Sequence, residues 1–122
     1  MNDLLLYTGA AIVIFWGIAH VVFPTRSILD GFGSISADNR RILLMEWLME
    51  GVLLVFIGVL VVLVTWFTSE AGAIVYWSCA GILAVMAGVS LFTGARTPIL
   101  PMKLCPPIFL TSAALFVLAT VS

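Results

Sequence analysis

Residues 4–23 read LLLYTGAAIVIFWGIAHVVF, twenty consecutive positions without an Asp, Glu, Lys or Arg. A helix of about 20 apolar residues has the length needed to cross a hydrocarbon core of roughly 30 Å. Pro24 follows directly, and proline ends helices because it lacks an amide hydrogen and disfavours helical geometry in the preceding residue. The run therefore predicts a first membrane-spanning helix.

Three further apolar stretches follow, at about residues 42–67, 73–93 and 104–121. Only Glu46 and Glu50 interrupt the second stretch, and Pro106-Pro107 suit the first turn of the fourth helix, where no amide partner is lost. The pattern predicts an all-α, integral membrane four-helix bundle that forms a single transmembrane domain over residues 1–122.

The composition agrees with a protein whose solvent is lipid. Hydrophobic residues make up 63% of the chain and charged residues 9%, with a mean hydropathy of +1.26. Soluble domains are usually about 45–50% apolar and about 25% charged. Five Lys and Arg residues do not form the basic face that nucleic-acid binding needs, so we expect no nucleic-acid partner.

The basic residues predict an orientation. All five lie in residues 24–41 and 94–103, two connections that fall on the same side of a four-span topology. The positive-inside tendency makes that side cytoplasmic and places both termini outside. No basic segment precedes the first apolar run, so we expect it to be retained rather than cleaved, in a multi-pass protein of the cell inner membrane. The five residues are Arg26, Arg40, Arg41, Arg96 and Lys103.

The connection at residues 24–41 predicts local structure of its own. Thr25 is placed to cap a short interfacial helix through Asp30, which Gly31 or Gly33 would end. Ser36 is placed to cap the second long helix.

Small residues predict where the helices pack closely, because they let backbones approach one another in lipid. They lie on one face of each of three spans: Gly9 and Gly17, Gly51 and Gly58, and Ala80, Ala84 and Gly88.

Three ionisable residues lie inside the predicted spans: His20, Glu46 and Glu50. A charge at membrane depth is unfavourable, so such groups usually face the bundle interior and find partners. The two glutamates are one helical turn apart, which disfavours joint ionisation and predicts that at least one is protonated at neutral pH. His20 lies at a similar depth. The pattern predicts a polar cluster with these three as candidate catalytic residues.

Neighbouring polar and aromatic residues are candidates for ligand binding. We expect the arginines to lie at the mouth of the cluster, able to pair with its carboxylates or with an anionic headgroup. The candidates are Trp16, Asn39, Arg40, Arg41, Trp47 and Arg96.

Several chemistries remain open at this cluster. A histidine beside a carboxylate is a reasonable acid–base pair or proton relay. Metal or haem ligation is weakly indicated because His20 is the only histidine, and Cys79 and Cys105 form no C-x-x-C pair, so we assign no metal and leave the cofactor unknown. Both cysteines are interpreted as small packing residues. In the structural alternative, Glu46 pairs with Arg41 or extends to the membrane interface, and His20 hydrogen-bonds Glu50 or a backbone carbonyl and only fixes helix register.

A family resemblance rests on the segment from Asn39-Arg40-Arg41 through Glu46-Trp47 to Glu50-Gly51 and on the exit His20-x-x-x-Pro24. With the four short spans and the glycine-containing connection, it resembles small bacterial four-helix membrane proteins of the DoxX-like group. Members of such families have been tied to quinone-linked sulfur or redox chemistry. The chain lacks the cysteine pair of vitamin K epoxide reductases and the first-span glutamate of small multidrug transporters.

Three hypotheses follow. The first is a protein that binds a lipid, quinone or isoprenoid in an inner-leaflet polar pocket, as a redox accessory or an enzyme. The second is a non-catalytic structural or accessory subunit of a membrane complex, and the third is a small proton-coupled transporter. Besides membrane lipid and a small apolar ligand, the partners left open are a second copy of the chain and another membrane subunit.

Overall fold

The computed structural model describes residues 1–22, 25–67 and 70–122, and their regular structure is entirely helical. The helices are α1 (Asp3–Val22), α2 (Thr25–Asp30), α3 (Ala37–Trp66), α4 (Gly72–Phe92) and α5 (Leu100–Val121), with a 3-10 turn at Gly94–Arg96. Four helices are long and apolar enough to cross a membrane: α1, α3, α5, and α4 together with the 3-10 turn. This confirms the all-α class with four candidate spans. The predicted stop at Pro24 lies outside the described residues.

Helices α1 and α3 pack through glycines. A Cβ atom on Gly17 would lie 2.7 Å from the carbonyl oxygen of Gly51, and one on Gly58 would lie 2.8 Å from the carbonyl oxygen of Ala10. Contacts this short exclude any side chain, so the two backbones approach as closely as small residues allow. The close packing predicted at Gly17, Gly51 and Gly58 is confirmed, whereas Gly9 packs against Phe116 of α5.

The predicted seam of α4 is wrong in part. Ala80 is buried, but Ala84 is exposed, and a Cβ atom on Gly88 would meet nothing within 4 Å. The helix buries Ala80, Leu83 and Ala87, a spacing that follows the helical period of 3.6 residues. That choice of face turns Ala84 and Gly88 away from the core.

The connection before α3 follows its sequence prediction in part: the short helix and the Ser36 cap are present, but Thr25 is the first residue of α2 rather than its cap. Helix α2 ends at Asp30, and Gly33 adopts a positive φ of 72° in the turn that follows. The Ser36 hydroxyl oxygen then accepts a hydrogen bond from the backbone N–H of Asn39 at 3.2 Å, which caps α3. Arg40 donates to Asp30 at 2.8 Å and ties the start of α3 to α2.

Helix α5 begins four residues earlier than the sequence predicts. Pro101 occupies its first turn, whereas Pro106 and Pro107 lie inside the helix. A proline in the first turn loses no hydrogen bond, so Pro101 is a suitable start. The earlier start places Cys105 in the second turn of α5, where it is 3% exposed.

The long helices stand in the order α3, α1, α5, α4. Helix α1 packs extensively on α3 and α5, and α4 packs on α5, but α3 and α4 touch little although they are consecutive. They meet near their connecting turn, which we call the hairpin end; the opposite end of the bundle, where α2 lies, is the α2 end. Near the hairpin end, Thr65 donates to the carbonyl oxygen of Val61, so its oxygen accepts the Tyr76 hydroxyl at 2.9 Å.

Candidate functional site

His20 lies in the last turn of α1 and is 1% exposed. Its Nδ1 atom is 2.8 Å from the backbone carbonyl oxygen of Trp16. A carbonyl oxygen can only accept, so Nδ1 carries the hydrogen and, in the neutral ring, Nε2 carries a lone pair. The Trp47 ring stacks on the imidazole with centroids 4.2 Å apart, and Trp16 meets it edge-on at 5.4 Å. These contacts fix the ring's orientation.

The free nitrogen of His20 faces a carboxylate. Its Nε2 atom lies 3.9 Å from Oε2 of Glu50, which is too far for a hydrogen bond. The thiol of Cys105 completes the group: one ligand atom from each of the three residues lies within 4.8 Å of the other two. We call His20, Glu50 and Cys105 the polar cluster. It joins α1, α3 and α5 at the α2 end of the bundle.

A cavity of about 560 Å³ lies beside Glu50, and we call it the α3–α4 cavity. One wall is formed by α2 and α3, and the facing side is closed by Met86 of α4 and Met102 of α5. Its surface is mostly apolar, with two carboxyl groups. The lining residues are Ile28, Leu29, Phe32, Leu43, Glu46, Trp47, Met49, Glu50, Leu53, Met86 and Met102.

A second cavity of about 320 Å³, the α4–α5 cavity, adjoins the first. Glu50, Met86 and Met102 line both, so the carboxyl group of Glu50 stands between them. Cys105 lines the second cavity but not the first. Two of the three members of the polar cluster are therefore accessible from a cavity.

Several buried polar atoms of the bundle have no hydrogen-bond partner among the described residues. They are the indole Nε1 atoms of Trp16 and Trp47 and the Nε2 atom of His20, together with the Ser112 hydroxyl in α5. Buried polar groups in proteins are normally paired with protein, water or a bound molecule. The Trp47 indole donor and the His20 imidazole acceptor mark this end of the bundle as a place suited to polar recognition.

The structure brings together most of the residues that the sequence singled out at membrane depth. His20 lies near Glu50, as predicted, and its ring contacts Trp16 and Trp47, which were proposed only as ligand-binding residues. Glu46 is exposed; it lines the α3–α4 cavity but does not belong to the polar cluster. The predicted convergence on His20 thus involves one glutamate rather than two.

The polar residues expected at the mouth have other described contacts. Arg41 pairs with Asp38 at 3.2 Å, on the exposed side of α3, and the Arg96 guanidinium lies 5.5 Å from the centre of the Phe92 ring. Four of the proposed ligand-binding residues are not among the described residues that line either cavity: Asn39, Arg40, Arg41 and Arg96. Their binding of a ligand stays a prediction.

Sequence reasoning missed Cys105, Met86 and Met102. Cys105 was placed at the start of the fourth span, with no role beyond packing. Pro101 was the available signal, because a helix that begins there carries Cys105 to the same end of the bundle as His20. The two methionines are ordinary apolar residues in the sequence, and only the packing of α4 and α5 brings them to Glu50.

Comparison with known proteins found no matching family model, no similar curated protein and no similar solved structure. A histidine and a carboxyl group in near contact can exchange protons or hold a cation, and an apolar cavity with a few polar groups can hold a small molecule.

Proposed function

We propose that this chain is a multi-pass membrane protein that binds an amphipathic ligand of the quinone, isoprenoid or lipid class in the α3–α4 cavity. The observation that carries the proposal is a cavity of about 560 Å³, apolar except for Glu46, Glu50 and the indole of Trp47, on a helix apolar enough to span a membrane. Small-molecule sites typically measure about 300–1,000 Å³ and combine apolar walls with a few polar groups.

The polar groups of the cavity suit the head of such a ligand. The carboxyl groups of Glu46 and Glu50 accept hydrogen bonds from the hydroxyls of a quinol or an isoprenoid alcohol. A quinone carbonyl needs donors instead, and the buried indole N–H of Trp47 has no acceptor among the described residues. The head is therefore expected to bind between Glu50 and Trp47.

The apolar side of the cavity suits the tail. Met49 and Leu53 line it and are 60% and 40% exposed on the surface of α3 that would face lipid. A long-tailed ligand can then enter sideways from the bilayer without passing through water. The small contact between α3 and α4 leaves this entry open.

The basic connections support an orientation in which the α2 end is cytoplasmic and both termini are outside. The cavity then lies in the inner leaflet of the cell inner membrane. The resemblance to DoxX-like proteins agrees with a quinone-linked role, as a redox accessory or an enzyme, and stays a prediction.

One alternative has an observation in its favour. The stack of His20 on Trp47 joins α1 to α3, and the bond of His20 to the Trp16 carbonyl within α1 holds the ring in place, which is what a purely structural subunit would need. In that case, altering the cavity wall should change no ligand binding.

A cavity-filling variant tests the proposal. Leu53→Trp adds bulk at the cavity wall, and Leu63→Trp is the matched control, since Leu63 is similarly exposed on α3 (48%) but does not line the cavity. The purified proteins are titrated with a short-tailed ubiquinone and with an isoprenoid alcohol, and the bound ligand is counted by native mass spectrometry. We expect one ligand per chain, at least tenfold weaker binding in Leu53→Trp and unchanged binding in Leu63→Trp. Equal binding of both probes by the two variants, or no binding by the parent protein, would exclude the proposed site.

A further inference from the structure

The arrangement of His20 and an ionised Glu50 suits a positive charge between them. The hydrogen on Nδ1 is donated to the Trp16 carbonyl, so the Nε2 atom of the neutral ring presents a lone pair to the Glu50 carboxylate at 3.9 Å. Two acceptor atoms that face each other repel. At this distance a shared proton makes no good hydrogen bond. A metal ion bonded at about 2.1 Å to each atom would span a separation of this size.

We propose that His20, Glu50 and Cys105 form a binding site for Zn²⁺. An imidazole nitrogen, a carboxylate oxygen and a thiolate sulfur are the three donor types that zinc takes in proteins. One such atom from each residue lies within 4.8 Å of the others, and in a tetrahedral site these atoms stand about 3.5 Å apart. A movement of roughly 1 Å, within the reach of the Glu50 and Cys105 side chains, would bring the ligands onto the ion.

His20 is prepared for this role by its surroundings. Metal-binding histidines usually donate their second ring N–H to a carbonyl or carboxylate, which fixes the tautomer and aims the free nitrogen at the metal. The bond from Nδ1 to the Trp16 carbonyl is of this kind. His20 is 1% exposed and its Nε2 atom has no partner among the described residues, so the lone pair points into the cluster rather than into solvent.

The charge of the donor set favours a divalent ion. Glu50 and Cys105 each contribute one negative charge when bound, and the neutral imidazole contributes none. With Zn²⁺ the site has no net charge, which is the favourable condition in a low-dielectric part of a membrane-spanning bundle. A monovalent ion such as Cu⁺ would leave one negative charge unbalanced.

Three protein ligands leave a fourth position for a small molecule, as in zinc sites that do chemistry. Glu50 and Cys105 both line the α4–α5 cavity, from which a water molecule or a ligand oxygen can reach the ion. The site does not depend on the proposed ligand of the α3–α4 cavity. Zinc binding is therefore expected to persist in Leu53→Trp.

Metal titration of the reduced full-length protein in detergent tests the site. We expect one Zn²⁺ per chain, and a one-to-one Co²⁺ complex whose spectrum has tetrahedral bands and a thiolate charge-transfer band. His20→Gln, Glu50→Gln and Cys105→Ser should each weaken Zn²⁺ binding at least tenfold, and Cys105→Ser should remove the charge-transfer band. Glu46→Gln and Cys79→Ser are matched controls, because Glu46 and Cys79 lie outside the polar cluster, and both should bind Zn²⁺ like the parent protein.

A second readout covers variants that fail to fold. The chain has a single histidine, so its imidazole ¹⁵N resonances can be followed in the unmodified protein. Zn²⁺ should shift the Nε2 resonance of His20 strongly and leave Nδ1 protonated. An unchanged imidazole spectrum at saturating Zn²⁺, a Co²⁺ complex without a thiolate band, or zinc binding that survives in all three ligand variants would each overturn the site.

Discussion

Among the described residues, three contacts hold the imidazole of His20, and none of these is a hydrogen bond to a charged group. The Trp16 carbonyl takes the hydrogen of Nδ1, the Trp47 ring covers one face, and the Trp16 ring lies nearly perpendicular to the imidazole. Rotation of the ring would break both the hydrogen bond and the stack. His20 is thus limited to one orientation and, when neutral, to one tautomer.

The tautomer of His20 is the first prediction. The neutral Nδ1–H form should predominate in the metal-free protein, because the carbonyl 2.8 Å away accepts only from a protonated nitrogen. Imidazole ¹⁵N chemical shifts of the protein in detergent, freed of metal with a chelator, measure this directly. A spectrum dominated by the Nε2–H form would show that the bond to Trp16 is absent.

His20 and Glu50 were predictable because an ionisable residue inside an apolar run is unfavourable unless it has a partner. Their sequence positions gave similar depths in neighbouring antiparallel helices, and the structure brings them together. Arg41 was less predictable. An exposed arginine pairs more readily with a nearby carboxylate than with a distant pocket, and Asp38 lies three residues before Arg41 on the same helix.

At the scale of the element, the helix faces were only partly predictable. Glycines mark the contact between α1 and α3 because the Gly17 and Gly51 backbones meet directly. In α4 the buried face includes the bulky Leu83. The pattern of small residues alone therefore predicted the wrong buried face, with Ala84 and Gly88 in it. Close approach of backbones is one way to pack helices in lipid, and filling with larger side chains is another.

Matched glycine variants test the seam between α1 and α3. Gly58→Ala should lower the free energy of unfolding by about 1–3 kcal/mol, because the added methyl group meets the Ala10 carbonyl oxygen at 2.8 Å. Gly88→Ala has open space and should be neutral to within about 0.5 kcal/mol. Unfolding with a denaturing detergent, followed by circular dichroism, compares the two. Equal losses of stability would contradict the described packing of α1 on α3.

At the scale of the whole molecule, the number of spans was predictable from apolar runs, but the order of the helices was not. Consecutive antiparallel helices usually pack side by side, which would favour close contact between α3 and α4. In the structure, α1 and α5 instead lie between α3 and α4 in the packing order, and α3 and α4 contact each other little. The separation of α3 and α4 away from the hairpin end makes room for the α3–α4 cavity, a feature that no local sequence pattern indicates.

We predict that the basic connections face the cytoplasm and that both termini lie outside. In a variant without Cys79 and Cys105, single cysteines replace Ser34, in the turn after α2, or Ser122, at the end of α5. Both serines are exposed. A membrane-impermeant maleimide should label Ser122→Cys in intact spheroplasts and Ser34→Cys only after the membrane is permeabilised. The reverse pattern would place the basic connections outside.

The most direct measurement is photoaffinity mapping of the protein in bilayers with a photoreactive, isoprenoid-tailed quinone analogue. The proposed function places the ligand between α3 and α4, so adducts should concentrate on Trp47, Met49, Leu53 and Met86, and excess unlabelled ubiquinone should suppress them. A groove on the other face of α4, lined by Trp77, Ala84 and Leu118, serves as an internal reference for nonspecific labelling by lipid-dissolved probe. Adducts spread equally over that groove and the cavity, or unaffected by the competitor, would contradict a specific site at Glu50.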